Sequence, residues 1–133
     1  MNSVVSALFV EPRIYAQIEL LHAAQDARTP LSLSCVATCG GAREAFGSAN
    51  FDYLLLSTSL YYEPDERREL AALVQFARAR GSIVLSFGPG DLSAFGLPAH
   101  ESLSYTDVAF GYLSEALERA CQRAQVDWAL ASR

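Results

Sequence analysis

Short apolar runs alternate with segments of helical periodicity along the whole 133-residue chain. This alternation is typical of βα units wound onto a mostly parallel sheet. The apolar runs predict five strands, at about Val4–Val10, Leu31–Ala37, Tyr53–Ser57, Ser82–Phe87 and Glu101–Tyr105. The third run is continuously apolar, which predicts a central strand that is buried on both faces.

The segments between the first three runs predict two helices. The first helix has Ile14, Ile18 and Leu21 on one face, because they are spaced by four and three residues. A second helix, of two turns at most, follows Gly40 and Gly41, which close the second strand. Its apolar positions are Ala42, Ala45, Phe46 and Ala49.

The third helix has the clearest signals of its ends. Pro64 stands near its start, acids occupy the first turn, and Gly81 ends it. Its apolar stripe consists of Leu70, Leu73, Val74 and Ala77.

The last third of the chain allows two registers. A fifth strand at Glu101–Tyr105 is followed by a long helix over Asp107–Trp128, and the alternative places the fifth strand at Phe110–Ser114. Few residues remain for a fourth helix. The segment Asp91–Leu97 is therefore predicted as a shortened helix or a loop.

Composition narrows the class of protein. With 51% hydrophobic residues, the chain has enough apolar material for one core, and residues 1–133 are interpreted as a single domain. A net charge of −5 offers no positive field for nucleic acid or an anionic membrane surface. The first apolar run is far shorter than the roughly 20 residues of a membrane span. These features predict a cytoplasmic protein.

Cysteine and histidine give no metal-binding pattern. Cys35 and Cys39 are separated by three residues, with no second pair nearby, and the two histidines lie in unrelated segments. We predict neither a structural disulfide nor a metal, and no cofactor. The ten basic residues are all arginine, so the chain has no lysine.

Residues 39–46 and 51–60 together resemble the second helix and third strand of response-regulator receiver domains. The order of elements over about residues 4 to 125 is similar as well. The resemblance implies an α/β, flavodoxin-like, three-layer sandwich with a five-stranded parallel sheet in the order 2-1-3-4-5. Any ligand crevice then lies at the carboxyl ends of strands one and three.

Receivers phosphorylate themselves with paired acids after strand one, an acceptor aspartate ending strand three, a hydroxyl after strand four and a lysine after strand five. The resemblance places Glu11 and Pro12 at the acid pair, Ser57 at the acceptor and Ser86 at the hydroxyl position. No residue can supply the lysine. An acyl phosphate needs a carboxylate nucleophile, and magnesium prefers several oxygen ligands. The four residues therefore form a degenerate pocket that is not expected to be phosphorylated.

Two other motifs suggest chemistry. Gly88 and Gly90 enclose a tight loop after strand four, whose backbone amides could bind an anion. Residues 83–92 are also similar to the fourth-strand region of the carboxyl-terminal α/β domain of family 3 glycosidases.

Apolar residues outside the predicted core are candidates for an interface. They are Phe110, Leu117, Cys121 and Trp128 on the last helix, and Tyr61 and Tyr62 after the third strand. The four on the helix widen its apolar face beyond what a sheet needs, unless Phe110 and Trp128 fold over the sheet edge. The two tyrosines either fill the former acidic pocket or contact a partner.

The favoured function is a non-enzymatic pseudo-receiver that acts through homodimerisation or a protein partner, on the face of strand five and the last helix. One alternative is a regulatory domain gated by a small anion or nucleotide in the degenerate pocket. Another is an accessory domain of an enzyme, such as the glycosidase-like domain.

Overall fold

The computed structural model describes residues 5–27, 31–88, 96–97, 99, 101–104, 107–108 and 111–131, and for residues 126–131 the backbone alone. The strands are β1 (Val5–Val10), β2 (Leu31–Val36), β3 (Tyr53–Ser57), β4 (Ile83–Phe87) and β5 (Glu101–Leu103). The helices are α1 (Ile14–Gln25), α2 (Cys39–Ser48), α3 (Pro64–Ala79) and α4 (Leu113–Ala131), with a 3-10 helix at Thr58–Tyr62.

The five strands form one parallel sheet in the order β2-β1-β3-β4-β5. This confirms the predicted flavodoxin-like architecture. β3 lies at the centre, and all five of its residues are buried. A continuous apolar run is stable there because helices cover both faces of the sheet.

Each face of the sheet has its own core. On one face, α1 and α4 pack on a cluster that includes Phe9, Leu55 and Leu85. On the other face, α2 and α3 pack on Leu8, Leu54 and further residues of alternate position. Because successive side chains of a strand point to opposite faces, each of the inner strands contributes to both cores.

Helix α3 follows the sequence prediction closely. Its four predicted apolar residues, Leu70, Leu73, Val74 and Ala77, are at most 1% exposed. Pro64 is its first residue, and Gly81 has a φ of 84°, which a glycine adopts without strain.

Helix α2 is longer than predicted. It begins at Cys39, so Gly40 and Gly41 lie in its first turn instead of closing the preceding strand. The side chain of Thr38 caps the helix by accepting a hydrogen bond from the Gly41 amide at 2.9 Å. A threonine cap offsets the low helix propensity of the two glycines.

Helix α1 buries a different face from the one predicted. Its buried residues are Ala16, Leu20 and Ala24, whereas Ile14 is 70% exposed and Ile18 is 47% exposed. The two alanines let the helix approach the sheet closely. The larger apolar side chains therefore lie on the solvent side.

The fifth strand confirms the first of the two predicted registers. β5 pairs with β4 through Leu103 and Phe87, and Ser114 lies in α4, so the alternative strand at Phe110–Ser114 is wrong. The final helix begins at Leu113 and not at Asp107, because Gly111 has a φ of 79°. The segment Asp91–Leu97, predicted as a shortened helix or a loop, falls mostly on residues 91–95, outside the described residues.

Candidate functional site

The carboxyl ends of β1 and β3 bring Glu11 and Ser57 to one edge of the sheet. Val10 is paired with Leu56, so the residues that follow them come next to each other. Both are fully buried. This is the position at which open α/β sheets bind ligands.

The backbone of Glu11 is fixed by two hydrogen bonds. Its amide donates to the Val36 carbonyl at 2.9 Å, which extends the pairing of β1 with β2. Its carbonyl accepts from Nε2 of Gln17 in α1 at 2.6 Å. The side chain is therefore held at the start of the β1–α1 connection.

The Glu11 carboxylate is paired with an arginine of the same chain. Arg13 donates from Nε to Oε1 of Glu11, and the Arg13 side chain is 30% exposed while that of Glu11 is fully buried. A buried carboxylate is stable only when its charge is compensated. Arg13 supplies that charge, and it also donates to the Tyr15 hydroxyl at 3.2 Å.

The second carboxylate oxygen of Glu11 is part of a chain of hydroxyl groups. Ser59 donates from Oγ to Oε2 of Glu11 at 3.2 Å, and its Oγ lies 2.7 Å from Oγ of Ser57. Ser57 also caps the 3-10 helix by accepting from the Ser59 amide at 3.2 Å. Sequence reasoning missed Arg13 and Ser59. The only signal was their position two residues after Glu11 and Ser57.

Pro12 is exposed in the β1–α1 connection. It has no side-chain oxygen, so Glu11 is the only carboxylate at the position of the acid pair. Both oxygens of that carboxylate already accept hydrogen bonds. These residues do not fit magnesium, which requires several oxygen ligands around it.

The structure does not bring Ser86 to the same face as Ser57. Ser86 is paired with Leu56, and it continues the face of Val84, whereas Ser57 is paired with Phe87. The ring beside Ser57 packs edge-on against Phe9, with 5.0 Å between ring centroids. The neighbour of Ser57 on β4 is therefore the ring of Phe87 and not the hydroxyl of Ser86. Ser86 is fully buried on the opposite face of the sheet.

Gly88 directly follows β4 with a φ of 119°. Its amide donates to the Leu103 carbonyl at 3.0 Å, and a Cβ added to it would lie 2.7 Å from Oγ1 of Thr58. The backbone therefore approaches the start of the 3-10 helix closely. Gly90, the other glycine of the predicted anion loop, lies outside the described residues.

Ser104 follows β5, where the resemblance to receivers predicts a lysine. The Ser104 amide donates to Oδ2 of Asp107 at 3.0 Å, and the Asp107 amide donates to Oγ of Ser104 at 3.1 Å. This reciprocal pair stabilises the turn that follows β5. The Ser104–Asp107 pair contains a hydroxyl and a carboxylate, so it does not supply the positive charge that a lysine would have.

The two tyrosines after β3 have different environments. Tyr61 packs against the core beneath α3, and the Arg67 guanidinium lies 5.3 Å from its ring centroid. Tyr62 is 70% exposed and contacts the Tyr61 ring edge-on at 5.9 Å. Tyr61 is thus partly a core residue, and Tyr62 is available to solvent.

The predicted interface on the last helix is reduced by the packing of α4. Leu117 is only 5% exposed, and Cys121 packs against the same core. Leu117 is therefore a core residue and does not present a surface to a partner. Phe110 and the side chain of Trp128 lie outside the described residues.

Among the described residues, no group of three or more histidine, cysteine or acidic side chains could hold a metal ion. Burial raises the pKa of the Cys39 thiol far above its ordinary value, and the nearby Glu66 raises it further. Burial also raises the pKa of Cys35. In the same part of the chain, no helix is long and apolar enough to cross a bilayer.

No protein-family model matches the chain, and no curated protein matches it in sequence. Solved structures do match its fold. A response regulator receiver domain protein from Clostridium thermocellum superposes with a TM-score of 0.64 at 14% identity, over 92% of this chain and 98% of that one.

Two further structures have the same fold. A proposed pilus assembly-related protein from Burkholderia pseudomallei superposes with a TM-score of 0.67 at 17% identity, over 92% of this chain and 93% of that one. A response regulator in red light signaling of R. palustris gives a TM-score of 0.57 at 16% identity, over 74% and 79%. The chain is therefore a receiver-like domain in its fold.

Proposed function

We propose that this chain is a pseudo-receiver, a non-catalytic signalling module that acts through protein–protein interaction without being phosphorylated. The observation that carries the proposal is the pairing of the buried Glu11 carboxylate with Arg13. A cation fixed in the chain takes the role that a bound metal ion has in receivers, and it cannot dissociate.

The residues around this pair support the same proposal. Ser57 ends β3 with a hydroxyl, which is a poor substitute for a carboxylate nucleophile at neutral pH. The ring of Phe87 stands beside it, and the chain has no lysine to balance a phosphoryl group. Phosphoryl transfer depends mainly on such electrostatic stabilisation, so these replacements remove most of the catalysis.

An interaction role also agrees with the structures that share the fold, which include response regulators and a proposed pilus assembly-related protein. The alternative of an anion-gated domain has less support. Its pocket would be closed by the Glu11–Arg13 pair.

The test combines magnesium with beryllofluoride, a mimic of the aspartyl phosphate, and follows backbone amide shifts by NMR. A functional receiver treated in parallel shows that the reagent is active. We expect no shifts at Glu11, Ser57 and Ser59, and no added mass after incubation with acetyl phosphate. Saturable shifts at these residues would show that the pocket still binds and would overturn the proposal.

The anion alternative is tested in the same samples. Inorganic phosphate and nucleotides are added, and thermal unfolding is measured. A ligand that binds only the folded state raises the melting temperature. An increase that is lost in Arg13→Ala would replace the proposed function with an anion-gated one.

A further inference from the structure

Two features at the β2 end of the sheet have no packing or pairing partner among the described residues. β2 is an edge strand that pairs only with β1 among the described strands. Above it, α1 presents large apolar side chains to solvent, with Ile14 70% and Ile18 47% exposed. No chemistry of the candidate site uses either feature.

The outward backbone groups of β2 can be assigned from one hydrogen bond. The Val36 carbonyl accepts from the Glu11 amide, so Val36 is bonded towards β1. Because parallel ladders alternate along a strand, Ser32 and Ser34 are also bonded towards β1. The amides and carbonyls of Leu33 and Cys35 therefore point to the open edge.

This edge lacks the usual protection against pairing. β2 has six residues, LSLSCV, and none of them is charged or a proline. Natural edge strands are normally protected by charges, prolines, bulges or short length. The strand is thus able to pair with another strand along its full length.

The apolar stripe of α1 lies on the same side as this edge. The opposite flank of α1, with Glu19, His22 and Asp26, lines a cavity of about 320 Å³ together with Val108, which precedes α4. Leu21 lies on the side of the helix opposite to Glu19, because an advance of two residues turns a helix by about 200°. Leu33 and Cys35 pack on the same face of the sheet as α1.

We propose that β2 pairs antiparallel with β2 of a second copy of this chain, so that two sheets become one sheet of ten strands. The proposal rests on the proposed function, because it names the partner of an interaction module. A two-fold axis between the strands makes each edge supply the donors and acceptors that the other lacks.

The same axis brings the two α1 helices together. Strands lie about 4.8 Å apart, and α1 shares one core cluster with residues of β1 and β2. A helix centred between those strands then lies about 10 Å from its symmetry mate, which is the packing distance of two helices. Ile14, Ile18 and Leu21, at spacings of four and three, form the seam of such a pair.

Charge does not oppose a second copy at this edge, despite the net charge of −5 of the whole chain. β2 has no charge, and the acids of α1, Glu19 and Asp26, lie on the flank that faces Val108. A stable interface buries roughly 800 Å² per partner, and we expect the strand edge and the helix stripe to contribute to it together. One partner therefore satisfies both features.

The first measurement is the mass of the full chain by light scattering under reducing conditions, across a dilution series. We expect twice the monomer mass at high concentration and dissociation on dilution. Hydrogen exchange is then followed at both ends of the series. The Leu33 and Cys35 amides become protected as the dimer forms, whereas Ser34 is protected throughout.

Ile18→Glu tests the helix seam. Because Ile18 is nearly half exposed, the variant is expected to fold. In the dimer the two introduced glutamates bring like charges together at the seam, which weakens the dimer by about 100-fold. Gln75→Glu adds the same charge to an exposed position of α3, on the other face of the sheet, and leaves the dimer unchanged.

A monomer at all concentrations overturns this pairing, and so does a dimer in which Leu33 and Cys35 exchange as fast as in the monomer. A dimer unaffected by Ile18→Glu overturns it too. These failures are separate from failure of the proposed function. A monomer that does not bind beryllofluoride contradicts the β2 pairing but not the proposed function. A dimer that binds beryllofluoride contradicts the proposed function but not the β2 pairing.

Discussion

Arg13 neutralises Glu11 across the turn that joins β1 to α1, and the carboxylate is fully buried while the guanidinium is partly exposed. The pair joins a strand end to the first turn of a helix. It therefore stabilises the fold as well as the candidate site.

Replacing Arg13 with alanine leaves a buried carboxylate without its cation. Breaking such a pair costs about 3–5 kcal/mol, and the exposure of Arg13 places this case at about 3 kcal/mol or somewhat less. Urea unfolding measures the loss. Arg68→Ala is the control, because Arg68 and Asp65 form a mostly exposed pair that contributes less than about 0.5 kcal/mol. Equal losses in the two variants would contradict the assigned role of Arg13.

Gly88→Ala tests the close approach to Thr58. The φ of 119° and the 2.7 Å contact with Oγ1 of Thr58 predict a loss of about 2–4 kcal/mol. Gly81→Ala is the control, because Gly81 also has a positive φ but no atom within 4 Å of the added Cβ, and it costs about 1 kcal/mol. Adding Thr58→Ala to Gly88→Ala should recover part of the loss. Indistinguishable losses at Gly88 and Gly81 would rule out the contact.

Tyr53 gives the protein a stability change at alkaline pH. Its hydroxyl donates to the Leu117 carbonyl at 3.3 Å, and burial raises the pKa of Tyr53 from 10.0 to about 12. The folded state therefore favours the neutral phenol, and its contribution is complete below pH 10 and is lost as the pH rises towards 12. Tyr53→Phe should cost about 1 kcal/mol at neutral pH and flatten the decline between pH 10 and 12. Unchanged curves from chemical unfolding would show that this bond is not formed.

Cys39 should resist alkylation while the protein is folded. Its raised pKa keeps the thiol protonated, and its Sγ donates to the Glu66 carbonyl at 3.8 Å. Iodoacetamide labelling followed by mass spectrometry measures the rates of individual cysteines. We expect Cys39 to react only after denaturant is added, and rapid labelling of the folded protein would contradict this environment.

The periodicity of α3 predicted its buried stripe correctly because its apolar residues lie on one face only. In α1 the same reasoning predicted the wrong face. That helix has two apolar stripes, and the pattern cannot show which one packs on the sheet. The sheet accepts the stripe of Ala16, Leu20 and Ala24, since small residues allow a closer approach than Ile14 and Ile18.

The candidate site was predicted in part for a similar reason. The proximity of Glu11 and Ser57 was predictable from the ends of the first and third apolar runs, because parallel strands align their carboxyl ends. The contacts of Arg13 and Ser59 depend on how two turns fold back over the sheet, which no periodicity encodes. The face of Ser86 depends on one residue of register between β3 and β4, and a shift of one residue reverses the side of every side chain.

The internal cation has a consequence for timing in a cell. A phosphorylated receiver holds its signal for as long as the acyl phosphate survives, and its output follows the supply of phosphoryl donors. Arg13 is part of the covalent chain, so its charge stays beside Glu11 for as long as the protein itself exists. Under the proposed function, the strength of the output is therefore set by how much of this protein is made and how quickly it is degraded.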